Sequence, residues 1–99
     1  MTFEDFIHSL NENSPPAVSE ELKSLWYDAK GDWEKAHDLI SEKETKSHCL
    51  IHAYLHRKGG QASNAEYWYE RARRRFYQPT LEEEWQALVE GLLSGTDEG

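Results

Sequence analysis

The stretch between Thr45 and the Gly59-Gly60 pair constrains this chain more than any other. Wound at about 3.6 residues per turn, Cys49, Leu50, Ile51, Ala53, Tyr54 and Leu55 cover most of the circumference of a helix over residues 46–58. A helix that is apolar nearly all round belongs at the centre of a bundle, because any side left to water would expose part of that coat. No apolar run approaches the ~20 residues of a membrane span, so no membrane partner is expected and the coat must come from the chain itself. Ninety-nine residues suffice for one domain with a modest core, to which large side chains must contribute heavily. An aromatic content of 12%, with four Trp, meets that need.

Five other segments carry a helical stripe that could supply the coat. Phe3, Phe6, Ile7 and Leu10 recur at three- and four-residue spacing behind a Thr2/Asp5 capping box. After Pro15-Pro16, the residues Val18, Leu22, Leu25, Trp26 and Ala29 share a face that stops at Gly31. Asp32 is a good N-cap for the stripe Trp33, Ala36, His37 and Ile40, and Thr45 for the central segment. Ser63 with Glu66 forms a capping-box pattern before Ala65, Trp68, Tyr69, Ala72 and Phe76, and Gln78-Pro79 ends that stripe. Thr80 with Glu83 does the same for Leu81, Trp85, Leu88 and Leu92. No segment alternates with period two. The expected fold is all-α, five to six helices in antiparallel helix-turn-helix pairs, with Trp26, Trp33, Ala36, Ala65, Trp68 and Trp85 inward. A single domain spans 1–93 and a flexible acidic tail spans 94–99.

Residues 25–36 align with residues 54–65, so that Gly31 lies over Gly60 and Ala36 over Ala65, both 29 residues apart. A glycine permits the tight turn between two helices, and a small alanine lets them approach. This pattern resembles the tetratricopeptide repeat, with units at about 20–43 and 49–72 capped by helices over 2–11 and 80–93. Tyr69 and Ala72 fall where that motif places an aromatic and a small residue. The period is shorter than the usual ~34, and Lys43 stands where the first unit would have a small residue. The resemblance implies a right-handed helical bundle. The strings LWYDAKGDWEKAHDLI, HAYLHRK and NAEYWYERARR look like those of a group of small uncharacterised bacterial proteins, which implies a bacterial cytosol and brings no activity.

A net charge of −8 argues against a general nucleic-acid binder. Between Arg57 and Arg75, six basic residues face only Glu66 and Glu70, a balance of +4, so the rest of the chain carries −12. Within that stretch Arg71, Arg73, Arg74 and Arg75 are anion-binding candidates, because guanidinium forks suit phosphate and carboxylate groups. They also complement the dipole at a helix C-terminus. The lone Cys49 rules out an internal disulfide and suits a reducing, cytoplasmic compartment; no secretion signal opens the sequence.

Histidine is the residue most able to carry chemistry here. His48, His52 and His56 are spaced by four and stack on one side of the central helix. If the third and fourth segments form an antiparallel hairpin turning near Glu44 and Thr45, His37 comes level with His52, and Trp33 with His56. His37, His52 and His56, with Trp33, Trp68 and Asp28, could then form a small-ligand site, a divalent-metal site or the acid–base centre of an enzyme. The plainer alternative has His48 and His52 facing water through the one gap in their helix's apolar coat, with Asp28 and Arg57 as ion-pair members. No HExxH or Cys/His zinc spacing occurs, and no cofactor or catalytic residue is assigned.

The leading expectation is a non-enzymatic interaction or scaffold module binding a protein or peptide. Its groove would be lined by Leu25, Asp28 and Ala29 from one unit and Leu50, Tyr54, Arg57 and Lys58 from the other. A homodimer through Phe3, Phe6 and Leu10, or through Leu88 and Leu92, is a further expectation.

Overall fold

The computed structural model describes residues 1–74 and 79–95, and every regular element among them is a helix. In chain order these are α1 (Phe3–Ser9), α2 (Glu20–Ala29), α3 (Trp33–Ile40), α4 (Lys46–Lys58), α5 (Ala62–Arg71) and α6 (Leu81–Ser94). None is long and apolar enough to cross a membrane. Arg75, Phe76, Gln78 and most of the acidic tail lie outside the described residues.

The caps follow the sequence in most places. Thr2 with Asp5 and Thr80 with Glu83 form reciprocal capping boxes, and Asp32 and Thr45 accept from the first turns of α3 and α4. α2 starts behind Ser19, whose hydroxyl accepts from Leu22, so Val18 stays outside the helix. At α5 the expected capping box fails. The helix begins at Ala62 with Gln61 in the N-cap place, and Ser63 sits inside its first turn. The turn geometry decides this: Gly31 and Gly60 both adopt positive φ, at 89° and 80°. The next residue in each case folds back on the preceding helix, Asp32 N–H to the Tyr27 carbonyl at 2.9 Å and Gln61 N–H to the His56 carbonyl at 2.8 Å. Two matched turns therefore start α3 and α5 at matched positions.

α4 lies at the centre, against α2, α3, α5 and α6, and every residue from Ser47 to Leu55 is buried. α2 pairs with α3 and α4 with α5. Ala36 and Ala65 are fully enclosed, and the Ser24 hydroxyl donates to the Ala36 carbonyl at 2.7 Å where α2 meets α3. Trp26 is buried, but Trp33, Trp68 and Trp85 are only partly covered. An indole has a polar edge as well as an apolar body. Trp33 donates to the Leu55 carbonyl at 2.8 Å and Trp85 to the Leu25 carbonyl at 2.9 Å, each from the rim of the core. Phe6 and Leu88, expected among dimer contacts, are used up inside this core.

α6 is tied to α4 and α5 by a buried carboxylate. Glu84, 7% exposed, accepts from Arg57 at 2.6 Å and from the Tyr69 hydroxyl. Burial and the Glu84 carboxylate together push the Tyr69 phenol well above its ordinary pKa, so it remains a donor. Asp28 pairs with Lys58 at 2.9 Å and accepts from Tyr54 at 2.8 Å, which leaves Arg57 to Glu84 instead of to Asp28. Removing one partner of a buried charge pair strands the other, at a cost of about 3–5 kcal/mol. Glu84→Ala should accordingly lower the urea midpoint of unfolding by an amount equivalent to about 3 kcal/mol. An unchanged midpoint would mean that the buried carboxylate contributes nothing to holding α6.

Candidate histidine site

The site is built by the α3–α4 hairpin. Asp32 starts α3 so that Trp33 and His37, one turn apart, face α4. Thr45 starts α4, with its hydroxyl accepting from the His48 N–H at 3.3 Å, and this sets the phase of His48, His52 and His56. Across the hairpin the Nε2 atoms of His37 and His52 lie 2.9 Å apart and share a hydrogen bond. The His56 ring is 4.8 Å from that of His52 and 5.2 Å from that of His37, centroid to centroid. One ring nitrogen from each of the three lies within 4.8 Å of the other two.

Two indoles frame the cluster. Trp33 stacks on His37 at 5.0 Å and 12°, its own position fixed by the bond to the Leu55 carbonyl. Trp68, arriving on α5, stacks on His52 at 4.0 Å and 14°. His56 Nδ1 lies 2.5 Å from Gln61 Oε1. An amide oxygen only accepts, so the His56 proton is on Nδ1 and the Nε2 lone pair is left available. Sequence reasoning missed Gln61. The signal was its alignment with the N-cap residue Asp32, which places it at the mouth of the turn beside His56.

His52 is 5% exposed, whereas His37 and His56 are partly open to solvent. Burial lowers the His37 pKa, with the neighbouring His56 adding to the effect and Asp38 opposing it. Burial, then the His37 and His56 rings, bring His52 down to about 4. At neutral pH these two rings are therefore uncharged and carry lone pairs. His52 Nδ1 and His48 Nε2 are both buried without a hydrogen-bond partner among the described residues, each at a cost in stability.

The remaining candidates are dispersed. Asp28 does not join the imidazoles: its partner Tyr54 is two residues beyond His52, on the opposite side of α4. His48 does not face water. It is 3% exposed, with Nδ1 at 2.6 Å from the Thr45 hydroxyl and 3.8 Å from Glu21. His8 is exposed on α1. Arg71 pairs with Glu44 and lies over the rings of Tyr67 and Trp68, Arg73 turns the chain at φ 57°, and Arg74 is exposed. Of the groove residues, Leu25 and Leu50 are in the core and Arg57 is engaged with Glu84. Asp28, Ala29, Tyr54 and Lys58 line an open cleft of about 710 Å³, whose other walls come from α1 and α6.

No protein-family model, curated protein or solved structure matches the chain.

The burial of His52 has a consequence for stability. Below pH ~6.5 the unfolded chain protonates this imidazole, but the folded chain keeps it neutral down to about pH 4. Unfolding thus takes up a proton in that interval, and stability falls as the pH drops through it, by on the order of 2–3 kcal/mol. Urea melts at pH 7 and pH 4.5 should show a smaller acid loss for His52→Gln than for the parent chain. Identical losses would show that His52 titrates alike in both states.

Proposed function

We propose that this chain is a small helical metal-binding protein that holds one divalent transition-metal ion on His37, His52 and His56. The observation that carries the reading is the approach of three imidazole nitrogens to within 4.8 Å of one another. Ligands about 2.0–2.1 Å from a tetrahedral ion stand about 3.4 Å apart, so small side-chain rotations from the present arrangement suffice. Imidazole donors suit Zn²⁺, Cu²⁺ or Ni²⁺, and the lack of carboxylate ligands in the cluster among the described residues disfavours Ca²⁺ and Mg²⁺. Neutral rings support the reading, since a protonated imidazole cannot bind a metal. So does Gln61, because the outer hydrogen bond of a metal-bound histidine fixes its tautomer and orientation.

The partner-binding module has narrower support. Four of its groove residues face the cleft between α1, α2, α4 and α6, while Leu25 and Leu50 are enclosed. A tetratricopeptide-like pedigree belongs to the same proposal, supported by the matched turns at Gly31 and Gly60, and a reducing compartment is supported by the single Cys49.

Calorimetric titration of the full chain with zinc chloride tests the metal site. One ion per chain is expected, with affinity reduced more than about 100-fold in His37→Ala and His56→Ala and about tenfold in Gln61→Ala. Helical circular dichroism identifies any variant that has merely unfolded. Zinc uptake that is absent, or equal in folded His37→Ala and the parent, would refute the proposal.

A further inference from the structure

We infer that the ion held by the three imidazoles keeps an open fourth position that takes a small anion. This inference rests on the metal-binding reading.

Structural tetrahedral sites are closed by four protein ligands, whereas sites that exchange ligands keep one position for water. Among the described residues the cluster contains three ligating side chains and no carboxylate or thiol. Two backbone and side-chain oxygens at its edge are already engaged. The Leu55 carbonyl accepts from Trp33, and the Gln61 oxygen accepts from His56. The thiol of Cys49 is held protonated by burial and lies beside Glu44 and Arg71. The indoles of Trp33 and Trp68 cover His37 and His52 with apolar surface that offers no lone pair to an ion. His37 and His56 are nevertheless partly exposed, so solvent reaches the cluster from their side.

Charge determines which ligand the open position prefers. Three neutral imidazoles bring no negative charge, and the ion retains its full double charge. In a partly desolvated setting between two indoles that charge favours an anion over water. Such a position would be an exchangeable Lewis-acid site.

Cobalt(II) provides the test, since its visible spectrum reports its coordination. The full chain is loaded with Co²⁺, the bound metal is counted by equilibrium dialysis, and azide is then titrated at constant pH and ionic strength. A saturable one-to-one change in the visible bands, with cobalt still bound, is the expected result. Cobalt retained one per chain with bands indifferent to azide would overturn the open position while leaving the metal site intact. Azide that strips the cobalt from the chain would also overturn it. Failure to take up cobalt would remove both readings.

Discussion

Burying a helix on every side leaves it no face to turn toward water, and α4 meets that condition along nearly its whole length. Its nine consecutive buried residues include Ser47, His48 and His52, so polar groups had to be enclosed with the apolar ones. The other helices run from 7 to 14 residues. Helices this short are marginal alone, and packing against the central helix is what holds them. Each enclosed polar group then needs a local answer. Ser47 donates to Glu21 at 3.3 Å, His48 bonds Thr45, and His52 meets His37. Arg57 and Lys58, at the end of α4, anchor α6 and α2 through Glu84 and Asp28.

The histidine cluster follows from that enclosure. α3 can cover α4 only with a face whose phase is set by Asp32 at one end and Ile40 at the other, and His37 lies in that face. The α5 helix brings Trp68 over the opposite side of His52 because the Gly60 turn repeats the Gly31 turn. The three imidazoles therefore sit on a rigid frame of two hairpins, with ring planes fixed by indoles and by Gln61. Rigid placement of donors is what a metal site requires of its scaffold.

Much of this was legible in the sequence. The all-round apolar pattern of residues 46–58 required a central helix, and four-residue spacing with a short hairpin placed His37 opposite His52. Position in the hairpin was readable because both helix starts carry strong caps, Asp32 and Thr45. Three things were not readable. The Ser63/Glu66 pattern suggested a cap that the preceding turn overrides, since a positive-φ glycine fixes the helix start more firmly than a serine three residues on. The gap in the apolar coat at His48 and His52 looked like a solvent face, but neighbours from α2, α3 and α5 fill it. The choice of Lys58 over Arg57 for Asp28 depends on α6, whose Glu84 claims the arginine, and no local pattern reveals a partner 27 residues away.

The central claim is that His37, His52 and His56 act together as one ligand set. Nitrogen-15 NMR of the imidazole rings, recorded with and without one equivalent of zinc, tests it at the level of single atoms. The account predicts that all three rings shift together on zinc addition, that His56 keeps its proton on Nδ1, and that the hydrogen bond joining His37 to His52 is lost. His8 and His48 should keep their original resonances. Spectra in which zinc moves none of the three, or moves the exposed His8 instead, would contradict the account.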